Sequence, residues 1–398
     1  MKIRLILLCT AALLTVNTGR LCAFNKMKKA RTELTEEQMV QRSNDFGFTV
    51  FRATAGDGNA LESPLSLSLA LSMTAGGAAA KTEQCMVSTL GFENYSAEEI
   101  GNFYKNVLER LSQADTSTRL EIADAIWADK KIPVKEDFAG YAADKFKADL
   151  RNADFGNPAA VDEINRWCAA HTNGKIGSIL DKLTPDMAMV LLNAVYFYGN
   201  WRYKFDDTFT DTFTDIDGHQ SEIDMMYFCR HLKYAENGKF RMVELPYGNG
   251  NYVMDILLPQ NESGFKEAAA ELDSNQWEEL CGKLSSTFVT LNLPKFKLEY
   301  GIRYDDTLQK LGMAPAFRKD ADFSRMSDFP LAIGLVKQKT FINVTEKGTE
   351  AAAVTAVGML VTSAGPMQSI DFIVDRPFIF AIRERTTGAI LFLGQKTR

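Results

Sequence analysis

The chain has 398 residues, of which 46% are hydrophobic and 24% are charged, as in an ordinary globular protein. A net charge of −6 and an isoelectric point near 5.4 argue against nucleic acid as a general partner. No linker rich in Pro, Gly or Ser, no repeat and no abrupt change in charge divides the sequence. We therefore expect one large domain rather than several.

The N-terminus carries a targeting pattern. Basic residues precede an apolar run from Leu5 to Val16, which is too short to span a bilayer comfortably. This pattern predicts a signal peptide over residues 1–23, with cleavage after Ala23. The mature domain, residues 24–398, would then be secreted. Lipidation of Cys22, which would give a cell-surface lipoprotein, is an alternative, although the residues before it match a lipoprotein box poorly.

Three stretches in the first part of the chain carry helix signals. Thr35–Gln38 is a capping box, and a stripe at helical spacing follows it: Met39, Ser43, Phe46 and Val50. Ser63 and Pro64 suit the start of a second helix, because proline is tolerated in the first turn. Ser96–Glu99 is another capping box, which predicts a third helix with its own stripe: Ile100, Phe103, Val107 and Leu111.

Later segments carry strand patterns. They are rich in β-branched and aromatic residues and comprise Met189–Leu192, Tyr252–Leu258, Phe288–Leu293, Phe378–Ile382 and Ala389–Leu393. Helices come first and strands later, without an alternation of strand and helix. This order predicts an α+β domain.

The stretch Thr340–Phe378 is the most unusual part of the sequence. An apolar run leads into Glu346–Glu350, and no charged residue then occurs before Asp371. A structureless segment of this length inside a domain is usually functional. Read with the two-residue period of a strand, the face that begins at Thr349 is uncharged, and the only charge, Glu350, falls on the other face. The pattern predicts a strand that can enter a sheet.

Glu346–Ala353 resembles the hinge of the reactive-centre loop of serpins, and the whole loop would cover about residues 346–370. Further matching stretches follow in the order expected for that family: Leu192–Trp201, Glu244–Tyr247, Leu293–Phe296, Leu311–Met313, Ala321–Ser324 and Arg376–Phe378. So many motifs in order make chance untenable. The resemblance covers nearly the whole mature chain and implies the serpin fold, with helices around a large central β-sheet, further sheets and an exposed loop.

The resemblance also assigns a polar cluster beneath the point where the central sheet opens. Its members would be Ser63, Ser66, Asn193 and Gln338. Gln338 stands where the family commonly has His, so we expect the hydrogen bonds to survive and the cluster to lack a titratable group. Glu62 is a second departure, because the family usually has Phe before this Ser-Pro pair.

At the top of the central sheet, Lys295 would pair with Glu346 near Trp201. The alternative is an ordinary exposed ion pair that contributes under about 1 kcal/mol. Gly348 would give the backbone freedom at the hinge, and Thr349 would be the first residue to enter the sheet. The complete hinge would comprise Glu346, Gly348, Thr349, Glu350, Ala351, Ala352 and Ala353.

The function implied by the resemblance is inhibition of proteases by a conformational trap. A target protease would attack the loop and form a covalent acyl-enzyme. The freed segment would then insert into the central sheet as an antiparallel strand. Roughly a dozen residues at about 3.3 Å each span about 40 Å, which would carry the protease away and distort its active site. The alternative is a non-inhibitory serpin that acts as a carrier or chaperone.

The family spacing, counted from Glu346, places the scissile bond between Thr362 and Ser363. Neighbouring bonds from Leu360 and Val361 through Met367 remain open, because the distance to the next family motif exceeds the common spacing. No Lys or Arg lies between Lys347 and Arg376, which excludes a trypsin-type target. Elastase-like and subtilisin-like serine proteases fit this stretch, and papain-like cysteine proteases are a secondary fit.

Enzymatic chemistry is not indicated. The three histidines, His171, His219 and His231, lie in no metal or hydrolase motif, so we predict no catalytic residue, no metal and no cofactor. Lys81 lacks the dense basic surroundings of a glycosaminoglycan site. We expect a monomer whose partner is the target protease.

Overall fold

Helices dominate the first part of the chain, as the sequence predicts. In this computed structural model, which describes residues 35–261, 264–350 and 369–398, the helices have the following bounds: α1 Glu36–Thr54, α2 Pro64–Gly76, α3 Ala80–Thr89, α4 Ala97–Ala114, α5 Glu136–Phe146, α6 Ala159–His171, α7 Phe265–Glu271, α8 Ser274–Lys283 and α9 Asp305–Leu308. A π turn and a 3₁₀ turn follow α9, at Gln309–Met313 and Ala314–Phe317.

The predicted helix starts are confirmed. Ser63 is the N-cap of α2, and Pro64 occupies its first turn. The Ser96 hydroxyl accepts from the backbone N–H of Glu99, while the Glu99 carboxylate accepts from the backbone N–H of Ser96. The predicted stripes of α1 and α4 are buried: Met39, Ser43, Phe46, Val50, Ile100, Phe103, Val107 and Leu111.

The strands have these bounds: β1 Ala60–Glu62, β2 Arg119–Asp129, β3 Asp149–Ala153, β4 Met189–Asn200, β5 Asp207–Thr214, β6 Gln220–Glu236, β7 Phe240–Pro246, β8 Tyr252–Pro259, β9 Ser285–Pro294, β10 Phe296–Arg303, β11 Ile333–Thr345, β12 Gly348–Thr349, β13 Ile370–Ile373, β14 Phe378–Glu384 and β15 Ile390–Lys396. The five strand patterns of the sequence fall in β4, β8, β9, β14 and β15. The prediction of an α+β domain is confirmed.

Two sheets organise the described part of the chain. The six-stranded sheet has the order β10-β11-β12-β4-β2-β3, with β11 also paired to β4. The nine-stranded sheet has the order β1-β15-β14-β8-β7-β6-β9-β13, with β5 paired to β6. The segment between β12 and β13 therefore connects the two sheets, and it is the segment that the sequence singles out.

The buried apolar residues hold the sheets and helices together in Glu36–Arg398, which forms one compact unit. One cluster packs α6 against the six-stranded sheet through Trp127, Trp167 and Leu192. Another packs α1 and α8 against the nine-stranded sheet through Phe48, Trp277 and Ile379. The six-stranded sheet is thus covered by a helix next to β2 and β4.

The predicted signal peptide, residues 1–23, lies outside the described residues. Within the described ranges, no helix is long and apolar enough to cross a membrane.

Candidate functional site

The contact between β11 and β4 has two different parts. In the part that we call the lower junction, Ile333–Thr340 of β11 pairs directly and in parallel with Met189–Val195 of β4. In the upper junction the two strands separate, and β12 lies between them, antiparallel to both. One parallel ladder is therefore replaced by two antiparallel ladders at one end of the six-stranded sheet.

β12 fits between its neighbours because it begins with glycine. Gly348 has a φ of +148°, and a Cβ at this position would lie 2.1 Å from the carbonyl oxygen of Gly199. Gly348 pairs with Thr345 on one side and Asn200 on the other. Any side chain here would collide with the backbone of β4.

Thr349 is already a member of the sheet. The sequence predicts it as the first residue to enter, and the structure shows it fully buried between Val344 and Gly199. Its hydroxyl is 2.6 Å from that of Tyr247. Tyr247 in turn stacks on Trp201, with ring centroids 4.3 Å apart. A small polar side chain therefore fills a closed site at the top of the sheet.

Trp201 fixes the chain on both sides of the turn before β12. Its indole N–H donates to the carbonyl oxygen of Thr345 at 2.8 Å, and its backbone N–H donates to that of Lys347 at 2.9 Å. The predicted pair is present too, because Lys295 Nζ lies 3.2 Å from Glu346 Oε2. The pKa of Glu346 is lowered by a hydrogen bond from its own backbone and by Lys295, against the opposing effect of partial burial.

Glu350 ends β12 with a change of direction. Its φ is +59°, and its backbone N–H donates to the carbonyl oxygen of Asn343 at 2.7 Å. Its side chain is only 4% exposed and pairs with Lys175 at 2.9 Å, on the loop after α6. Tyr196 of β4 also contacts it, and burial together with this hydrogen bond raises the pKa of Tyr196 to about 12. An ion pair between the buried Glu350 carboxylate and the partly exposed Lys175 thus holds the last described residue before the uncharged segment.

The polar cluster predicted beneath the sheet opening is present in the lower junction. Gln338 and Asn193 are register partners across β11 and β4, and Gln338 Nε2 donates to Asn193 Oδ1 at 2.6 Å. The backbone N–H of Ser63 donates to Gln338 Oε1 at 2.7 Å. Asn193 Nδ2 donates to Ser66 Oγ and to Asp124 Oδ1. All these residues are buried.

The expectation that this cluster lacks a titratable group is wrong. Asp124 of β2 closes it at one end, and burial raises the pKa of Asp124 to about 7. At the other end the Tyr304 hydroxyl lies 3.0 Å from Gln338 Oε1 and 3.1 Å from Glu62 Oε2. Burial raises the pKa of Glu62, likewise, to about 7. The histidine of the family is absent, but two carboxyl groups flank its position.

A scan against known families matches residues 41–398 to Serpin, described as a serine protease inhibitor. The chain is a serpin. Serpins are in general protease inhibitors rather than enzymes, and they act on target proteases. This serpin shares 36% identity over 357 residues with Serpin-Z2A of Triticum aestivum, across 84% of this chain and 89% of the relative.

Solved structures agree with this family and fold. The native state of tengpin, a thermophilic serpin, matches with a TM-score of 0.86 and 34% identity, over 92% of this chain and 95% of the other. Human thyroxine-binding globulin in complex with thyroxine matches with a TM-score of 0.84 and 28% identity, over 91% and 98%. The predicted serpin fold is confirmed.

Part of the predicted site lies outside the described residues of this serpin. These positions are the hinge residues Ala351, Ala352 and Ala353 and the reactive-bond candidates Leu360, Val361, Thr362 and Ser363. Their roles remain predictions. The structure brings together the remaining site residues in two groups, the first at the upper junction (Trp201, Lys295, Glu346, Gly348, Thr349 and Glu350) and the second at the lower junction (Ser63, Ser66, Asn193 and Gln338).

Sequence reasoning missed three contributors to the serpin site. Lys175 lies on the loop after α6, and nothing in the sequence connects it with Glu350. Asp124 lies in β2, which the sequence patterns do not predict at all. Tyr304 carries no signal of its own, whereas Glu62 does: a charged residue directly before a buried helix start requires a buried partner.

Other reactive groups of the serpin are scattered. Cys85, Cys168, Cys229 and Cys281 are free thiols. Among the described residues, one group could hold a metal ion, comprising Asp215, Asp217 and His219. Asp215 Oδ1 already accepts hydrogen bonds from the backbone N–H groups of Asp217 and His219. These bonds form a surface turn, which explains why the three side chains lie close together. No hydrolytic arrangement is formed there.

Proposed function

We propose that this serpin is a suicide inhibitor of elastase-like or subtilisin-like serine proteases, with papain-like cysteine proteases as a secondary class. The observation that supports it is the two-residue strand β12 between β11 and β4. This strand marks the entry point and direction of a longer strand. The lower junction beneath it is the parallel pair that such a strand would separate.

The proposed chemistry belongs to the protease. Its nucleophile attacks the carbonyl carbon of the residue before the scissile bond, for which Thr362 is the best candidate. The peptide bond breaks, the new amino terminus begins at Ser363, and the protease stays attached to Thr362 as an ester or thioester. Water would normally complete hydrolysis. Insertion of the freed segment carries the attached protease away and distorts its active site, so the protease can no longer activate water and the ester or thioester is not hydrolysed.

The driving force comes from completing the six-stranded sheet. Extension of β12 would exchange the parallel β11–β4 ladder for two antiparallel ladders, which are slightly more stable per residue. Apolar residues such as Val357 and Met359 would be buried as well, at about 1.5–3 kcal/mol for each fully buried large side chain. The intact serpin is then held by a kinetic barrier rather than by being the most stable state.

The register of β12 predicts how insertion proceeds. Thr349 opposes Val344 of β11 and Gly199 of β4, and both pairings are antiparallel. Each step forward from Thr349 along the loop would therefore match one step backward along β11 and along β4. Continued in this register, Thr355 would lie between Gln338 and Asn193. Insertion must therefore break the 2.6 Å hydrogen bond between Gln338 and Asn193. Export of the protein, proposed from residues 1–23, would place it where such proteases act.

Incubation with a neutrophil- or pancreatic-type elastase tests the proposal. An inhibitor gives a band that survives SDS and whose mass is the sum of protease and serpin, less the released C-terminal peptide. The mass of that peptide identifies the cleaved bond. The matched control uses the same elastase with its nucleophile blocked, which should give no such band. Loop cleavage without a covalent band, at every protease concentration, would contradict the proposal.

A carrier function is the second candidate, and a cavity favours it. A cavity of about 490 Å³ lies between α1, α8 and the nine-stranded sheet, and its lining includes Trp277, Glu244 and Arg383. Human thyroxine-binding globulin, a structural relative, binds thyroxine. A carrier would show elastase cleavage without complex formation and a shift in melting temperature with an amphipathic ligand such as thyroxine.

A further inference from the structure

The buried hydrogen bonds of the lower junction connect strands that the proposed function requires to separate. Gln338 of β11 bonds to Asn193 of β4, and Asn193 bonds to Asp124 of β2. On the other side Gln338 continues through Tyr304 to Glu62 of β1. A single connected path therefore runs from β1 to β2 through the contact between β11 and β4, with a carboxyl group at each end.

The path contains too few protons if Glu62 is ionised. The hydroxyl of Tyr304 has one proton but faces two oxygen acceptors, on Gln338 at 3.0 Å and on Glu62 at 3.1 Å. The hydroxyl of Thr54 also has one proton and faces the Val50 carbonyl oxygen at 2.8 Å and Glu62 Oε1 at 2.5 Å. A protonated Glu62 supplies the missing donor to one of these hydroxyls. With it, Tyr304 is free to donate to Gln338.

Asp124, at the β2 end of the path, is also disfavoured in its ionised form. It is 4% exposed, and its Oδ1 accepts hydrogen bonds from Asn193 and from Ser66 at 3.3 Å. Neither donor is charged, so an ionised Asp124 would be a buried anion without a cation. Protonation removes this cost while the strands stay together. Separation of the strands removes it differently, by admitting water.

We propose that Glu62 and Asp124 form a proton-dependent switch on the lower junction. When both carry a proton, Tyr304 can donate to Gln338, Asp124 is uncharged, and β11 stays paired with β4. When they release their protons to water, the buried anions favour separation of the two strands. The inference rests on the proposed function for its purpose, because only an inserting strand needs this junction to open.

The groups that face the two carboxyls do not titrate in the relevant range. Tyr304 and, on β10, Tyr300 face Glu62, while Tyr104 of α4 faces Asp124. Burial raises the pKa of all three phenols above the ordinary value near 10. Within the described residues, no Lys, Arg or His contributes to the shift of either carboxyl. The carboxyls therefore respond to pH through their own burial.

The sign follows from the shifted values. In the closed junction both carboxyls have a pKa of about 7, raised by burial from 4.5 for Glu62 and 3.8 for Asp124. Contact with water on opening returns the pKa toward those ordinary values. The closed form thus binds more protons than the open form from about pH 4 to about pH 7. Opening becomes easier as pH rises through this window and changes little above it.

Hydrogen exchange of β11 measures the opening without any protease. Protection factors for Ile333–Thr345, corrected for the intrinsic rate at each pH, are compared at about pH 5.5 and about pH 7.5. We expect the wild-type factor to fall by about tenfold or more, since one pKa unit of difference between closed and open forms is tenfold. The double variant Glu62→Gln/Asp124→Asn keeps the shape and should show no such fall. Glu121→Gln is the matched control and should behave as wild type, because Glu121 is also on β2 but its side chain is 31% exposed.

The wild type alone can overturn the inference if its protection does not change with pH, so the test survives even if a variant fails to fold. A double variant that keeps the full pH dependence would also overturn it. The elastase experiment reports separately on the proposed function. If the protein forms no covalent complex but shows the predicted change in protection, the switch is supported and the proposed inhibitor function is contradicted.

Discussion

The upper and lower junctions of the six-stranded sheet use the same two strands in opposite ways. In the upper junction, Gly348 and Thr349 lie between β11 and β4, and each strand pairs with β12 instead of with the other. Below, the same strands pair directly, and Gln338 bonds to Asn193 where an inserted residue would otherwise lie. One end of the sheet therefore contains a two-residue strand between β11 and β4, and at the other end the two strands pair directly.

In the proposed mechanism, this difference predicts where insertion would meet its barrier. In the upper junction the hinge residues Gly348 and Thr349 already lie between the strands, and the Thr349 hydroxyl contacts Tyr247, which stacks on Trp201. The lower junction presents a buried polar path whose hydrogen bonds must break together. Buried polar groups are expensive to leave without partners, so each broken bond raises the barrier. Further insertion should therefore require Glu350 to leave Lys175 and should then meet its main barrier at the level of Gln338.

Replacement of Thr349 by arginine should break the upper junction and have the largest effect. Thr349 is fully buried beside Tyr247, and burial of an unpaired guanidinium costs several kcal/mol. We expect β12 to leave the sheet, the rest of the fold to remain, and covalent complex with elastase to fall about tenfold or more. SDS gels report the complex, and far-UV circular dichroism reports the fold.

Thr349→Ser is the control for this variant, because it keeps the hydroxyl that contacts Tyr247 at 2.6 Å. It should inhibit like the wild type. Unchanged inhibition by Thr349→Arg would mean that the hinge does not need to enter the sheet, and the trap mechanism would be wrong.

The sequence predicts the parts of this comparison that depend on local pattern. The alternation around Thr349 indicates a strand, and the Ser63–Pro64 pair indicates the helix start that places Ser63 against Gln338. The depth to which β12 already lies in the sheet could not be predicted. It depends on the gap between β11 and β4, which are far apart in sequence and set the gap by packing on other elements.

The ends of the polar path were beyond prediction for a similar reason. The hydrogen bonds from Tyr304 to Glu62 and from Asn193 to Asp124 form only when β1, β2 and β4 are assembled. Read by itself, Gln338 in place of the histidine that is common in the family predicts a cluster without a titratable group. In the structure, a carboxyl group lies two hydrogen bonds from Gln338 on each side, through Asn193 to Asp124 and through Tyr304 to Glu62. Contacts of this kind depend on three-dimensional distances, which no local sequence pattern contains.

Replacement of Lys175 by alanine should weaken the upper junction without breaking it. Glu350 is 4% exposed and would lose its cation, but Lys175 is itself 42% exposed, so solvent screens the pair. A double-mutant cycle with Glu350→Gln should give a coupling of about 1 kcal/mol. The readout is hydrogen exchange of the Glu350 amide, which donates to Asn343 at 2.7 Å.

Lys297→Ala is the matched control for Lys175. Both ammonium groups lie over the ring of Phe341, at 5.3 Å for Lys297 and 5.9 Å for Lys175, but the pair with Glu350 is formed by Lys175. Equal loss of protection at Glu350 in both variants would show that packing on Phe341, rather than the ion pair, holds the end of β12.

Replacement of Lys295 by alanine should have the smallest effect, because the Lys295–Glu346 pair at the same end of the sheet is exposed. The side chains are 30% and 38% exposed, so the expected loss in the free energy of unfolding is under about 1 kcal/mol at neutral pH and low salt. The pKa of Glu346 is lowered, so the contribution is present above its ordinary value and is lost as pH falls through the lowered one. Urea unfolding of both proteins at about pH 7 and about pH 3, in low and high salt, measures this difference, which should become smaller in acid and vanish in high salt. A loss well above 1 kcal/mol that persists in high salt would instead show that the upper junction depends on this exposed pair, and that burial of Thr349 is not what holds β12 in place.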